Sequence, residues 1–315
     1  MVGALSPPRR GTKRPAEAEP ASEYEPAAED LIPAGLAGAA AAAALRDNAH
    51  DEAQKAFNQG TMLAEHDHLA EAEAAFRRAD ELGHPAAAAH LGMLLEERGD
   101  RVGAEAAYRR ADDRGDGAGA FRLGLLLARQ DRPDEAESAF QRADERGHPA
   151  AASSLGMLHE QRADLVEAEA AYRRADERGD AVGAFSLAGL LADRGETAES
   201  EAAYRRADKY GHPSGATNLG VILEDRGDLD GAEAAYRRAD QRGDAAGAFN
   251  LGGVLVAKND LAGAEAAYSR ADQRGDADGA TNLGRLLEQR SDIAGAEAAY
   301  QRADERGDAE GAANL

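Results

Sequence analysis

Two sets of side chains in this sequence have the types and spacing to do chemistry. Glutamate recurs at Glu73, Glu105, Glu137, Glu169, Glu201, Glu233, Glu265 and Glu297, each followed by an Arg-Ala-Asp run such as Arg174–Asp176, Arg206–Asp208 or Arg270–Asp272. Paired carboxylates are the equipment of general acid–base catalysis. His66, Asp67 and His68 form the one close histidine cluster, and imidazole and carboxylate are metal ligands. Neither set points to a reaction. A catalytic pair is unique within a chain, whereas this one occurs in eight copies, as matching edges of neighbouring repeats require. A metal site needs three or more converging ligands, and nothing marks a third beside His66 and His68. The glycines of Gly115–Gly119 follow a helical stretch rather than a strand, so they lack the setting of a dinucleotide loop. The absence of cysteine removes thiolate nucleophiles, thiolate metal sites and disulfides together. The expectation is a non-enzyme with no catalytic, cofactor-binding or metal-ligating residues.

The elements that carry these residues repeat with one period. An aromatic stands at Phe76, Tyr108, Phe140, Tyr172, Tyr204, Tyr236, Tyr268 and Tyr300, with the same interval between every neighbouring pair. Glycine keeps that step from Gly83 to Gly307, and leucine from Leu91 to Leu315. One unit reads DAAGAFNLGGVLVAKN followed by DLAGAEAAYSRADQRG. This predicts helix A near 245–258 and helix B near 261–274, joined antiparallel by two-residue connections. Asp244 and Asp260 are suited to cap the first-turn N–H groups, and Gly243 and Gly275 to close helix B in the left-handed conformation. In three units the cap becomes His84-Pro85, His148-Pro149 or His212-Pro213, which places proline at the first helical position and makes the histidine the cap. Ala248, Ala267 and Ala271 and their counterparts are alanine throughout, and Gly252 recurs except at Ala188. Small side chains at these positions let helix axes approach to the short end of the usual range of about 8–10 Å. The helix-B aromatic fills the space that remains.

Composition narrows the class. About a quarter of the 315 residues are alanine, aromatics are 4%, and the formal net charge is −22. That surplus of acid excludes a nucleic-acid binder, which needs excess Lys and Arg to neutralise phosphate. The longest apolar run, Gly35 to Leu45, falls short of the roughly 18 residues of a membrane span. Met1 to Arg10 has no apolar core of a secretory signal. These features predict a cytoplasmic protein, with a composition suggestive of a GC-rich bacterial source. Residues 1–34, rich in Pro, Glu and Ala, read as a disordered tail. Residues 35–52 resemble a helix B stripped of its aromatic and charges, as expected of a degenerate capping helix. The repeats then occupy 53–315. The sequence stops inside helix A of a ninth unit, so an incomplete chain or end-to-end pairing with another chain is expected.

The spacing Leu251-Gly252, Ala264, Tyr268, Ala271 resembles the tetratricopeptide repeat, and the run RADQRGDADGATNLG (270–284) is closer still to its Sel1-like relative. The resemblance spans residues 53 to 308. The period of 32 is shorter than the family's roughly 34, and alanine stands in place of the family's early tryptophan. The resemblance implies an all-α fold, a right-handed α–α superhelical solenoid of about eight helix-turn-helix repeats. It also implies a protein–protein interaction scaffold that holds its partner in a concave groove lined by helices A.

A second period, twice as long, lies over the first. Phe57, Phe121, Phe185 and Phe249 fall in helix A of alternate units, and Ala89, Ser153, Thr217 and Thr281 replace them in the others. Two turns further along the helix the alternation reverses: Ala64, Ala128, Ala192 and Val256 follow the phenylalanines, while Glu96, Glu160, Glu224 and Glu288 follow the small residues. Two placements of the phenylalanines are open. Each can pack over the small residue of its neighbour within the core. By the family resemblance, each can instead face the groove, with anchors roughly 20 Å apart at about 10 Å per helix layer. An extended ligand would meet such anchors about every six residues at about 3.3 Å per residue. The intervening glutamates would favour Lys or Arg on a peptide or partner segment that is also partly apolar. Asn218, Asn250 and Asn282 match the asparagine with which the family's chaperone-tail binders clamp a terminal carboxylate, but the accompanying lysines are absent. The alternative is a structural, self-assembling module paired through its C-terminal end. Tyr204→Ala is expected to cost roughly 3–5 kcal/mol as a cavity in a tight stack, measured by chemical denaturation; a loss below about 1 kcal/mol would contradict the packing.

Overall fold

Helices make up all the regular structure of the described residues, 34–314 in a computed structural model, and no strand occurs among them. The tail expected over 1–34 lies outside these residues apart from Ala34, as does Leu315. The helices are α1 (Ala34–Glu65), α2 (Leu69–Glu81), α3 (Ala87–Glu97), α4 (Arg101–Asp113), α5 (Gly117–Arg129) and α6 (Pro133–Glu145). They continue as α7 (Ala151–Gln161), α8 (Leu165–Glu177), α9 (Ala181–Asp193), α10 (Thr197–Tyr210), α11 (Gly215–Asp225) and α12 (Leu229–Gln241). The last are α13 (Ala245–Ala257), α14 (Leu261–Gln273), α15 (Ala277–Gln289), α16 (Ile293–Glu305) and α17 (Ala309–Asn314). Even-numbered helices are helices B. No helix of the described residues is long and apolar enough to cross a membrane. Contacts divide the chain between Asp51 and Glu52, and the packing below belongs to the unit that begins at Glu52. The capping segment expected over 35–52 is not a separate helix, because α1 runs unbroken through it into the first helix A. Asp51 stands where later repeats carry the helix-ending glycine, as at Gly83.

Within each hairpin the helix-B ring lies on a helix-A glycine. A Cβ added at Gly252 would come within 2.5 Å of the Tyr268 ring, and one at Gly60 within 2.7 Å of the Phe76 ring. Where Ala188 breaks the rule, the ring pair is more steeply inclined: Tyr204 meets Phe185 at 67°, against 47–54° for the matching Phe57–Phe76, Phe121–Phe140 and Phe249–Tyr268 pairs. Ala107, Ala171, Ala235 and Ala267 of helix B are fully buried, with Leu91, Leu123, Leu155 and Leu251 of helix A beside them in the core.

Turns follow one plan. The glycine after each helix B has positive φ, and the N–H of the next residue reaches back to close the helix, as from His84 to the Ala79 carbonyl at 2.9 Å. The turn from A to B uses the same conformation, at Gly99, Gly195 and Gly227 but also at Asp67, Asp131, Ala163, Asn259 and Ser291. Aspartate caps helix A at Asp116, Asp180, Asp244 and Asp276, accepting from first-turn N–H groups.

The repeating charges join one repeat to the next. Asp112 accepts from Arg142 and Arg146 of the following repeat, each at 2.6 Å, and Asp240 from Arg270 and Arg274 at 2.7 Å. Asp80, Asp144, Asp208 and Asp272 are held in the same way. A second row links a helix-B glutamate to the end of the next helix A, as in Glu137–Arg162 and Glu201–Arg226 at 2.8 Å and Glu233–Lys258 at 2.6 Å. Burial pushes Asp112, Asp240 and Asp272 upward, yet their arginine partners outweigh it and hold these carboxyls below the ordinary value. A lowered carboxylate contributes stability above its unfolded pKa and loses it as pH falls through the folded one.

Gly252→Ala tests the ring contact. In an open helix the change would stabilise by about 1 kcal/mol. Here overpacking of about 1–3 kcal/mol opposes it, so a net loss near 1 kcal/mol in urea denaturation is expected, and a gain would refute the contact.

Candidate functional site

The residues singled out on helix A fall into two kinds of contact. The phenylalanines are half-buried against the core, and three of them stack on the histidine that opens the next helix A. Phe57 pairs with His84 at a ring separation of 4.1 Å and an interplanar angle of 12°. Phe121 pairs with His148 at 4.1 Å and 17°, and Phe185 with His212 at 3.9 Å and 14°. Each phenylalanine also touches its own helix-B ring, at 5.5–5.9 Å. The expectation that these histidines cap their helices is therefore corrected. Their rings are turned onto phenylalanine, and α3, α7 and α11 have Ala86, Ala150 and Ser214 at the cap with no side-chain hydrogen bond. The prolines do not occupy the first helical position. They sit in a turn closed by N–H to carbonyl bonds from Ala87 to His84, Ala151 to His148 and Gly215 to His212, of 3.2–3.3 Å.

In the later intervening repeats the same place is taken by a hydroxyl and an aspartate, and in the first by Ala89 and Asp116. Thr217 donates to Asp244, and Thr281 to Asp308. Three junctions are unmatched, and at the first of them Ala89 has no hydroxyl to offer Asp116. Ser153 donates to the Ala150 carbonyl instead (3.1 Å), and Asp180 Oδ2 is buried without a partner. Phe249 has Asp276 where the other phenylalanines have histidine. Burial raises the Asp276 carboxyl, and its Oδ1 accepts from the Gly279 N–H at 2.6 Å.

The glutamates are tied to the core. Glu96 accepts from the Tyr108 hydroxyl at 2.9 Å, Glu160 from Tyr172 at 2.5 Å, Glu224 from Tyr236 at 2.8 Å and Glu288 from Tyr300 at 3.2 Å. Burial, then the glutamate bond, raises all four tyrosine hydroxyls, so each stays a donor. One carboxylate oxygen is thereby fixed by a buried ring, while Glu160, Glu224 and Glu288 remain exposed. Three residues before two of them stand exposed apolar side chains, Met157 and Val221, each at 41%. At a spacing of three residues they share a helix face with Glu160 and Glu224. Glu96 is half-buried and also paired with Arg129. Asn218, Asn250 and Asn282 are half-buried, and Asn282 accepts from Arg285 at 3.1 Å.

Sequence reasoning missed the tyrosine–glutamate bond, although its signal was present. Glutamate occurs twelve residues before the rung in the repeats of Tyr108, Tyr172, Tyr236 and Tyr300, and two of the other rungs, Phe76 and Phe140, have no hydroxyl to satisfy. Among the described residues no group of three or more His, Asp or Glu side chains is placed to hold a metal ion. His66 at the first A-to-B turn bonds the Met62 carbonyl at 2.8 Å.

The tetratricopeptide repeat family matches residues 121–182 and 185–246, two windows one pair of repeats apart. Among solved structures, a Sel1 repeat protein from Oxalobacter formigenes superposes with a TM-score of 0.67 at 21% identity, covering 87% of this chain and 90% of that one. A protective antigen of uropathogenic Escherichia coli strains, which displays an SLR fold, gives a TM-score of 0.64 at 22% identity over 82% of this chain. The chain spans 62% of that antigen's length. The C-terminal part of a TPR repeat-containing protein from Cytophaga hutchinsonii gives a TM-score of 0.50 at 10% identity, over 72% of this chain and 98% of that one. No curated protein matches the sequence.

Ser153→Thr tests the junction chemistry. A threonine placed like Thr217 is expected to donate to Asp180 and raise stability by about 1 kcal/mol, read as a shift in the denaturation midpoint; no change would show that Asp180 is satisfied by other means.

Proposed function

Since this chain is a tetratricopeptide and Sel1-like repeat protein, of a kind that generally serves as a non-enzymatic protein–protein interaction scaffold, we propose that it holds a basic, partly apolar peptide or partner segment along its helices A. The observation that carries this reading is the pairing of an exposed, core-anchored glutamate with an exposed apolar neighbour, Glu160 with Met157 and Glu224 with Val221. A carboxylate already fixed by a buried hydroxyl loses little side-chain freedom when a cation arrives, which favours binding. A net charge of −22 adds a long-range attraction for basic ligands. The two glutamates belong to alternate repeats. They are two stacked hairpins apart, which suits an extended segment with cationic residues at a matching interval. The half-buried phenylalanines support the face from within the junctions, and the same argument gives no role to Asn218, Asn250 or Asn282.

Fluorescent peptides of alternating Lys and Leu, compared with their Glu and Leu counterparts, test the proposal. The basic series is expected to bind, with an affinity that falls as salt is raised. Glu160→Gln with Glu224→Gln is expected to weaken binding about tenfold, roughly 1.4 kcal/mol. Glutamine still accepts the tyrosine hydrogen bond, so the fold is retained. Equal binding by the double variant, or preference for the acidic series, would overturn the reading.

A further inference from the structure

We propose that His148 and His212 form a pH-responsive catch between repeats: neutral, each closes its junction by stacking on Phe121 or Phe185, and protonated, each releases the start of α7 or α11. The proposal does not depend on what the protein binds. Both imidazoles lie nearly parallel to their phenylalanine, at 4.1 Å and 3.9 Å. In both, Nδ1 is buried and has no hydrogen-bond partner. Protonation places a proton and a full charge on a ring whose buried nitrogen has no acceptor, which is costly for any desolvated group. It also places a cation just ahead of a helix N-terminus, where the helix dipole is positive. No side-chain cap holds those termini in α7 and α11.

The charged groups around the rings set the direction. Burial comes first and lowers both imidazoles below the ordinary value. Arg122 on α5 adds to the lowering at His148, while Asp116 opposes it, and Asp180 opposes it at His212. Asp116 and Asp180 cap α5 and α9 through Oδ1, and Asp180 Oδ2 is left without a partner. The charges at the ends of the intervening helices B are committed elsewhere: Asp144 to Arg174 and Arg178, Arg142 and Arg146 to Asp112, Asp208 to Arg238 and Arg242, and Arg206 to Asp176. Attraction between an imidazolium and the phenylalanine face works against release, but it leaves Nδ1 without an acceptor. His84 stacks in the same manner, yet its Nε2 lies 3.2 Å from Gln54 Oε1, so it is not part of the catch. With folded-state pKa values below the unfolded value near 6.5, the unfolded junction takes up the proton first. The stabilisation is complete above that value and is lost as pH falls below it toward the folded pKa.

Amide hydrogen exchange on the full chain, corrected for the intrinsic pH dependence, tests this between pH 7.5 and 5.5. Opening of residues 148–155 and 212–219 is expected to rise below about pH 6.5, by up to tenfold per pH unit within the window. Residues 244–251 serve as the control and are expected to stay level. His148→Phe with His212→Phe keeps a stacked ring without a proton, and its exchange should be flat with pH. An equal rise in that double variant, or a flat wild type, would overturn the proposal. Should the double variant fold poorly, the imidazole resonances of the wild type decide: titration of His148 and His212 below 6.5 supports the catch, and titration at or above it ends it.

Discussion

An aromatic ring laid on the bare backbone of a glycine is the contact on which the rest of this structure depends. With no Cβ at Gly252 or its equivalents, helices A and B approach until the ring touches the main chain, as at Gly252–Tyr268 and Gly60–Phe76. That approach in turn requires the alanines at Ala107, Ala171, Ala235 and Ala267, which are fully buried. Larger side chains there would force the axes apart and strip the ring of its neighbours. A chain with 4% aromatics can build a continuous core only in this way, one large side chain per hairpin surrounded by small ones. Packing of such density transmits position faithfully, so each hairpin presents the same edge. The Asp–Arg–Arg links and the glutamate links from helix B to the next helix A then fall into register without further specification.

Neighbouring hairpins are not joined identically, and this resolves the alternation seen at every second repeat. Three junctions are closed by a phenylalanine stacked on histidine, and two by a threonine hydroxyl donating to aspartate. Each closure is compatible with only one partner: a phenylalanine cannot satisfy a buried aspartate, and a threonine leaves an imidazole without a ring to lie on. Asp180 and Asp276 show the result of mismatch, one with an orphaned buried oxygen and one with a carboxyl raised by burial. The consequence is a building block of two hairpins rather than one. The family match falls on two windows separated by the same step.

Much of this was legible because the ladders are long. Glycine, alanine and aromatic positions recurring once per repeat identified helices A and B and the all-α stack, and the bounds near 245–258 and 261–274 lie within a residue of α13 and α14. What escaped depends on direction rather than type. A histidine before proline has the position of a cap, and only the side-chain direction shows that it turns back onto phenylalanine. Asp131, Ala163, Asn259 and Ser291 adopt positive φ although none is glycine, because the closing bonds of the helix end outweigh a local cost of about 1–2 kcal/mol. The continuity of α1 also turned on one position, Asp51 in place of the usual glycine. For the candidate site, the phenylalanines were found by periodicity, but whether they faced solvent or a neighbour was not a property of spacing.

The tyrosine–glutamate bond explains why surface charge and core packing cannot vary independently here. A buried tyrosine hydroxyl without a partner costs about 1–3 kcal/mol, so a repeat with Tyr108, Tyr172, Tyr236 or Tyr300 at full depth needs an acceptor at the end of helix A. Tyr108, Tyr172 and Tyr236 are fully buried, whereas Tyr204 and Tyr268, whose helices A carry Ala192 and Val256 instead of glutamate, keep 6–7% exposure. The acceptor must be long enough to reach the ring from helix A, and being ionised it leaves a second oxygen directed away from the hydroxyl. Acidic positions on alternate helices A are thus a by-product of how the core is satisfied before they are of use to any ligand. The exposed apolar neighbours are under no such constraint. Met157 and Val221 make no contribution to satisfying the tyrosines, so core packing does not account for their exposure.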